Sequence, residues 1–199
     1  LERMDRIIEM DAANRAMRVE PGAINQAIQD RAAEHGFFWP PDPTSGAYCT
    51  VGGNIALNAA GPRALKYGGT RENVLGLVAV TGNGDEIHAG TYTTKGVVGY
   101  DLTRLIIGSE GTLAIVTEAT LKLTPLPESR RTLQAVYDSV RAAAAAVSRL
   151  MAQPVTPCAL EFMDAAAIEM IRNYSRAELP QGAGALLMIE LDGPEAAMD

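Results

Sequence analysis

The sequence predicts an α+β fold in two parts. Short strand and helix candidates follow one another along the chain, and a proline- and glycine-rich stretch, residues 40–69, organises the first part. Pro125 and Pro127 end a long strand candidate, and beyond them the glycine-rich texture disappears. The predicted domains are therefore residues 1–127 and 128–199.

The first part begins with two short strand candidates, residues 6–10 and 15–20, separated by a turn. A helix is predicted over residues 23–35, because apolar residues recur there at three- and four-residue spacing, and Gly36 suits a left-handed end position. The aromatic residues 37–39 that follow are predicted to pack in the core against this helix.

Residues 40–69 suit neither a long helix nor a regular strand. Prolines fix φ and remove backbone donors, while six glycines permit positive φ and close backbone approach. One or two helical turns are predicted at residues 53–60, with Gly52 and Gly53 at the N-terminus, where free N–H groups favour an anion. The polar side chains of Thr44, Ser45, Thr50, Asn54 and Asn58 are neutral, as expected where backbone amides bind a phosphate-bearing ligand.

Two strand candidates, residues 74–81 and 85–89, flank an Asn-Gly pair and predict a hairpin. Asp101 is predicted to cap a short helix that ends at Gly108. A tight turn then leads into a long strand candidate, residues 112–123. Its odd- and even-numbered side chains are predicted to alternate without interruption between the two faces of the sheet.

The second part is predicted to run strand, helix, strand, helix, strand. The strand candidates are residues 132–137, 158–163 and 186–191, and the helix candidates are residues 139–152 and 164–174. Glycine is sparse before Gly182, which favours packing over close ligand contact.

Composition excludes several classes of protein. The chain has 199 residues, 47% of them hydrophobic, and a net charge of −7, which argues against disorder and against nucleic-acid binding. No signal peptide is expected from the charged, mixed first residues, and no apolar run reaches the ~18 residues that span a membrane. Two cysteines are too few for a disulfide framework. A cytoplasmic location is expected. Neither end resembles a natural terminus, so we interpret the chain as an internal piece of a longer protein.

Common catalytic motifs are missing. The dinucleotide fingerprint and the P-loop are absent, and the turn at residues 108–111 is not a nucleophile elbow, because residue 107 is Ile. His35 and His88 lack spaced partner ligands and are predicted to be surface residues.

Several motifs occur in a fixed order. They are Pro40-Pro41-Asp42-Pro43-Thr44-Ser45, Cys49-Thr50-Val51-Gly52-Gly53-Asn54, Asn58-Ala59-Ala60-Gly61, Lys66-Tyr67-Gly68, Gly99-Tyr100-Asp101-Leu102, Gly108-Ser109-Glu110-Gly111-Thr112-Leu113 and Ile115-Val116-Thr117-Glu118. Together they resemble the FAD-linked 2-hydroxy-acid oxidoreductases: the flavin subunit of glycolate oxidase, D-lactate dehydrogenases and D-2-hydroxyglutarate dehydrogenases. The resemblance is specific over residues 6–127 and weaker beyond. It implies part of a p-cresol methylhydroxylase-type FAD-binding domain followed by the start of an α+β, ferredoxin-like cap domain.

The resemblance implies FAD as the cofactor. Residues 41–45 and 50–54 would wrap the isoalloxazine and pyrophosphate with backbone amides, residues 58–61 would line the flavin, and residues 110–116 would follow the adenosine side. Ala114 stands where the family usually has Gly, which implies a looser approach there. The implied cofactor-binding residues are Pro41, Asp42, Pro43, Thr44, Ser45, Thr50, Gly52, Gly53, Asn54, Asn58, Ala60, Gly61, Tyr67, Gly68, Glu110, Gly111, Thr112, Ile115 and Val116.

The resemblance also implies an activity. Flavin N5 would take the α-hydrogen of a 2-hydroxy acid, of the glycolate or D-lactate type, as hydride while a base removes the hydroxyl proton. The family's first pyrophosphate loop would precede residue 1, and its catalytic His, metal-binding His cluster and substrate-binding Arg would follow residue 199. No catalytic or metal residue is therefore predicted in this chain, which alone is expected to be inactive. The expected partners are the acid, an electron acceptor and possible partner subunits, which could bring the protein to a membrane surface.

Some alternatives stay open. The fold also suits another flavoenzyme, such as an ether-lipid synthase, or a non-catalytic subunit that binds no flavin. Cys49 is interpreted as a small buried hydrophobe, with a reactive thiol or flavin attachment point as the alternative. Glu110 could accept hydrogen bonds from a ribose or cap local amides.

Overall fold

The computed structural model describes residues 1–97, 99–175 and 179–197. They form two compact units, Leu1–Leu126 and Pro127–Asp199. Each unit has its own sheet, and each is described by itself. That the domains extend over residues 1–127 and 128–199 stays a prediction.

The first unit contains seven strands and four α-helices among its described residues. The strands are β1 (Ile7–Asp11), β2 (Ala16–Val19), β3 (Phe37–Phe38), β4 (Val74–Thr81), β5 (Glu86–Gly90), β6 (Ala114–Lys122) and β7 (Thr124–Pro125), and the helices are α1 (Asn25–Ala33), α2 (Val51–Leu57), α3 (Ala64–Tyr67) and α4 (Leu102–Ile106). Five strands form an antiparallel sheet in the order β1-β2-β6-β4-β5, and β3 pairs with β7. The element types predicted for this part are confirmed, with shifts at their ends.

The core of the first unit includes residues of the sheet, α1 and α2. Its largest fully buried side chains include Met17, Val19, Ile28, Trp39, Val51, Ile55, Ile107, Leu121 and Leu123. Trp39 is fully buried and Phe38 nearly so, which confirms the prediction that the aromatic residues pack in the core. The indole N–H of Trp39 donates to the Asn73 carbonyl at 2.9 Å, which satisfies its polar group.

Local signals predicted the hairpin and the cap of α4 correctly. Strands β4 and β5 pair across the Asn-Gly turn, and Gly84 there has a φ of +88°. The Asp101 carboxylate accepts a hydrogen bond from the Arg104 N–H at 2.9 Å, and Gly108 follows α4 with a φ of +88°.

The prediction that side chains alternate without interruption along β6 is wrong. Val78 pairs with Glu118, but the next residue, Ala79, pairs with Val116, so Thr117 is the extra residue of a β-bulge. The buried positions therefore change from even numbers, such as Val116, to odd numbers, such as Ala119.

The second unit has the predicted order of strand, helix, strand, helix, strand. Its elements are β8 (Ser129–Tyr137), α5 (Val140–Met151), β9 (Ala159–Asp164), α6 (Ala165–Tyr174) and β10 (Ala185–Gly193), and the antiparallel sheet has the order β8-β10-β9. Ser139 and Asp164 cap the two helices by accepting N–H groups at 3.2 and 2.8 Å. Small residues of α5, such as Ala143, pack against Leu187 and Ile189 of β10. Within the described residues of the chain, no helix is long and apolar enough to cross a membrane.

Candidate functional site

Helix α2 lies at the centre of the residues that sequence analysis assigned to the cofactor. The predicted helical turns are confirmed, although the helix begins at Val51, two residues earlier than expected. Its N-cap is Thr50, whose Oγ1 accepts the Gly53 N–H at 3.1 Å. Its C-cap is Asn58, in the left-handed conformation with a φ of +50°, which Asn tolerates better than most residues.

The first-turn amides of α2 already have partners. The N–H groups of Val51 and Gly52 donate to the carbonyls of Ala23 and Pro21, at 2.8 and 2.7 Å, and the Gly53 N–H donates to Thr50. The expectation of free N–H groups at Gly52 and Gly53 is therefore wrong. These bonds attach the start of α2 to the segment before α1 instead of leaving donors for an anion.

Most glycines of residues 40–69 do not adopt a left-handed conformation. Gly68, with a φ of +77°, is the one among the six with a positive φ. Gly52 and Gly61 are explained by packing, because a Cβ atom on Gly52 would lie 2.7 Å from the Pro21 Cβ and one on Gly61 would overlap the main chain of Asp42. Gly53 differs, since the atom nearest to a Cβ added there would be Thr50 Oγ1, at 3.3 Å.

Side chains of α1 hold the start of the proline-rich segment. Asn25 Nδ2 donates to the Pro41 carbonyl at 3.1 Å, and Gln29 Nε2 donates to the Trp39 carbonyl at 2.7 Å. The contact between Gly61 and Asp42 places residues 58–61 beside residues 41–43. Two of the predicted loops are thus brought together, while the side chains of Thr44 and Ser45 are exposed.

The turn at residues 108–111 docks on the end of α2. The N–H groups of Gly108 and Glu110 donate to the carbonyls of Ile55 and Ala56, at 2.9 and 3.0 Å. A cleft of about 80 Å³ lies between the two segments. Its lining residues are Leu1, Gly52, Ile55, Ala56, Ile106, Ser109, Gly111, Ala114, Ile115 and Val116. Gly52, Gly111, Ile115 and Val116, all assigned to the cofactor, therefore converge on one neutral cleft.

Other assigned residues lie outside this cleft. Tyr67 packs edge-on against Phe38, with ring centroids 5.2 Å apart, and its carbonyl accepts Asn73 Nδ2 at 2.9 Å. Ala60, Glu110 and Thr112 are exposed. The Glu110 carboxylate bonds to no described residue, so the alternative in which it caps local amides is not observed.

Arg71 is a residue of the site that the sequence did not predict. Its Nη2 donates to the Ile107 carbonyl at 2.8 Å, and its main-chain N–H donates to Asn58 Oδ1 at 2.9 Å. It therefore bonds both the end of α2 and the start of the docked turn. Arg71 follows the Lys66-Tyr67-Gly68 motif closely, but no spacing signal indicates a partner 36 residues away.

The two cysteines and the two histidines lie in different environments. Cys49 is partly exposed, so its environment decides neither of its two interpretations. In the second unit, burial and a hydrogen bond to Glu190 raise the pKa of the Cys158 thiol to about 12, which keeps it protonated at neutral pH. His35 and His88 are exposed, as predicted. Over the part of the chain that the structure describes, no group of three His, Cys, Asp or Glu residues could hold a metal ion.

Comparison with known proteins supports the family resemblance. Residues 1–90 match the model of an FAD binding domain, and residues 126–199 match the model of the C-terminal domain of FAD linked oxidases. The chain is 48% identical over 191 residues to the glycolate oxidase subunit GlcD of Bacillus subtilis, a match that covers 96% of this chain and 41% of that protein. These matches are consistent with the FAD-linked 2-hydroxy-acid oxidoreductase family.

Further relatives in this family agree. The chain is 39% identical over 196 residues to GlcD of Escherichia coli, which covers 98% of this chain and 39% of that protein. It is 38% identical over 164 residues to a D-lactate dehydrogenase of Anaerostipes hadrus, covering 82% of this chain and 34% of that protein. The chain thus spans 34–41% of the length of these relatives.

A solved structure shows the fold. An alkyldihydroxyacetonephosphate synthase matches 98% of this chain and 39% of its own, with a TM-score of 0.83 and 20% identity. The fold is that of a p-cresol methylhydroxylase-type FAD-binding domain followed by the C-terminal domain type of FAD-linked oxidases. FAD is the cofactor of this family.

Proposed function

We propose that this chain is part of an FAD-dependent oxidoreductase that oxidises a 2-hydroxy acid of the glycolate or D-lactate type. The observation that carries the proposal is the match to glycolate oxidase subunits along almost the entire chain. An enzyme is therefore the best-supported function for the longer protein.

The residues around α2 fit the neutral parts of FAD. The side-chain amide of Asn54 is buried, and its Nδ2 has no hydrogen-bond partner among the described residues. A buried donor without a partner costs about 1–3 kcal/mol, which a carbonyl or ring nitrogen of a bound cofactor would recover. Gly53 leaves its side of α2 open, and the cleft that Gly52 and Ala56 line has no charged side chains.

The first-turn amides of α2 do not fit the diphosphate of FAD, because they already donate hydrogen bonds within the protein. We infer that this part of the chain contributes ring and ribityl contacts, and that diphosphate donors come from elsewhere. Bound FAD would supply the acceptance of two electrons together with the α-hydrogen. Asn54 would orient the cofactor, Gly53 would permit close approach, and the walls formed by Ile115 and Val116 would exclude water.

The remaining assignments are proposals of the same kind. The nineteen residues named from the resemblance are the proposed cofactor-binding set, with the cleft residues and Asn54 as its best-supported members. Partner subunits are proposed because the glycolate oxidase relatives are named as subunits. A cytoplasmic location, with a membrane surface reached through partners, completes this proposal.

An ether-lipid synthase is the second candidate. It is supported by the structural likeness alone, which at 20% identity concerns the fold. The sequence relatives favour the 2-hydroxy-acid oxidoreductase.

The function is tested in the longer protein that we propose contains this chain. The purified protein should show flavin absorption bands and should reduce a dye acceptor with glycolate or D-lactate. A flavin-free preparation that cannot be reconstituted would support a non-catalytic subunit. Turnover with an alkyl-lipid substrate instead of the acids would support the second candidate.

The 199-residue chain alone is expected to be inactive and to bind FAD weakly. Loss of two or three charge-assisted hydrogen bonds to the diphosphate, at ~1.5–3 kcal/mol each, corresponds to roughly three orders of magnitude or more in affinity. Titration with FAD, followed by flavin fluorescence, measures this affinity. Sub-micromolar binding with turnover would contradict the inference that the diphosphate donors lie elsewhere.

The domain boundary is tested by limited proteolysis. We expect cleavage at residues 124–131, where Pro125 and Pro127 give way to the exposed residues Glu128 and Arg130. Fragments should be identified by mass. Resistance there, with cleavage before residue 124, would contradict the division at residue 127.

A further inference from the structure

We propose that Arg71 is a positioning residue that preorganises the FAD site, by locking the turn of residues 107–110 onto the end of α2 before any cofactor binds. The inference rests on the proposed function for its meaning, since the turn leads into the residues assigned to FAD. The lock itself is visible in the hydrogen bonds of this chain and is testable without cofactor.

Arg71 bonds two segments that are distant in sequence. Its main-chain N–H donates to Asn58 Oδ1 at 2.9 Å, which holds the left-handed C-cap residue of α2. Its guanidinium Nη2 donates to the Ile107 carbonyl at 2.8 Å. One residue therefore fixes the end of the helix and the start of the turn to each other.

The turn of residues 107–110 also supplies hydrogen-bond donors to the last carbonyls of α2. Helices end with carbonyls that lack partners inside the helix. Here Gly108 and Glu110 donate their N–H groups to Ile55 and Ala56. The guanidinium bond at Ile107 lies directly before these two bonds, so its loss would free the turn to lift from the helix.

Gly108 is shaped to this contact. Its φ is +88°, and a Cβ atom there would lie 2.9 Å from Arg71 Nη2 and 3.2 Å from Asn58 Cβ. A side chain at this position would displace the guanidinium. Arg71 and Gly108 are therefore fitted to each other, which a solvated surface arginine would not require.

Charge pairing does not explain the position of Arg71. It forms no ion pair with the carboxylates of the described residues, and its Nε is buried without a hydrogen-bond partner. An arginine held for general stability would usually be paired with an acid, because burying part of a cation is costly. The guanidinium of Arg71 instead donates to the main-chain carbonyl of Ile107. This partner favours a role in which Arg71 fixes the position of the backbone at the turn.

The lock is tested by hydrogen exchange in the FAD-free 199-residue chain. Arg71→Met should accelerate exchange of the Gly108 and Glu110 amides by about ten- to a hundredfold, as expected when a hydrogen bond to a charged group is lost. Arg71→Lys, which keeps one charged donor but not the planar fork, should give an intermediate acceleration. Arg104→Met is the matched control, because Arg104 is exposed and pairs with Asp101 on α4, and it should leave both amides unchanged.

Amides of β4, such as that of Ala79, report global stability in the same samples. Acceleration confined to Gly108 and Glu110 supports the lock. Equal acceleration in β4 would overturn it, since Arg71 would then be a general stabilising residue. Unchanged exchange at Gly108 and Glu110 in a folded Arg71→Met variant would also overturn it.

The link to FAD is tested separately in the longer protein. Arg71→Met should raise the Kd for FAD by about tenfold or more, and Arg104→Met should not. A released turn with unchanged FAD affinity would overturn the positioning role. If the wild-type longer protein bound no FAD, the proposed function would fail, while the exchange data would still decide whether the lock exists.

Discussion

Gly52 and Gly61 differ from Gly53 in what surrounds them. A Cβ atom on either of the first two would meet the protein's own main chain or a proline ring, whereas Gly53 faces open space beyond one hydroxyl oxygen. All three were assigned to cofactor contact through the same resemblance of their sequence motifs to the family. The comparison teaches that a glycine-rich segment mixes glycines required by internal packing with glycines that leave room for a ligand.

The largest effect is expected at the packed glycine Gly61. Gly61→Ala should destabilise the FAD-free chain by about 3 kcal/mol, because the new methyl group overlaps the main chain of Asp42, which cannot move independently. Urea unfolding followed by circular dichroism measures the change. Gly82→Ala is the matched control, since no atom lies within 4 Å of that Cβ position and its φ is not positive. Equal stability of the two variants would remove the distinction between packed and open glycines.

At Gly53, which leaves space for a ligand, substitution should reduce FAD binding rather than stability. Gly53→Val in the longer protein should fold but lose FAD, with affinity falling by about a hundredfold or more, since its methyl groups fill the space left for the cofactor. Purified protein would be compared for flavin content and for unfolding midpoint. Full flavin occupancy would remove Gly53 from the site.

Gly53→Ala sharpens this test. Gly53 lies within helix α2, where Ala is favoured over Gly by about 1 kcal/mol, so the variant should be slightly more stable than the wild type. We expect weaker FAD binding in the same variant. Increased stability combined with reduced affinity is the signature of a glycine kept for a ligand.

The hydroxyl of Thr50 has two contacts at the start of α2. It caps the helix, and it is the nearest atom to the open side of Gly53. Thr50→Ala should cost about 1 kcal/mol of unfolding free energy through loss of the cap. Thr50→Ser should restore most of this loss, since serine also caps. A serine variant as unstable as the alanine variant would show that the methyl group, not the hydroxyl, matters.

The smallest effect is the pH dependence of stability at Glu20, which directly precedes Pro21, the residue that Gly52 packs against. Hydrogen bonds from Arg6, at 2.8 Å from Nη2 and 2.9 Å from the main-chain N–H, lower the pKa of the Glu20 carboxyl below its ordinary value of 4.5. Its contribution to stability is therefore present above about pH 4.5 and is lost as the pH falls through the lower folded-state pKa. Wild type and Glu20→Gln should differ in unfolding free energy at pH 7, and the difference should shrink as the pH falls below 4.5. Parallel curves over this range would contradict the assignment.

Features set by neighbours in sequence were predictable. The hairpin at Asn83-Gly84 and the cap at Asp101 depend on a few adjacent residues, and the structure confirms them. The residues assigned to FAD came from ordered motifs, and the structure brings several of them to one cleft.

Features set by tertiary docking were not predictable. Neither the bulge at Thr117 nor the bond from Arg71 to Ile107 leaves a periodic signal, because each depends on how distant segments align. The same reason explains the error at the start of α2. Whether the Gly52 N–H is free depends on Pro21, which the sequence alone does not place beside it.

Trp39 gives the chain a single indole fluorophore, directly before the proline-rich segment. It is the one tryptophan of the chain, it is fully buried, and it directly precedes the proline-rich segment that Asn25 and Gln29 anchor. Emission from this indole therefore comes from one rigid, dry environment and should be shifted to the blue. Since oxidised flavins absorb where tryptophan emits, resonance energy transfer from Trp39 would turn cofactor loading into an optical signal that needs no added label.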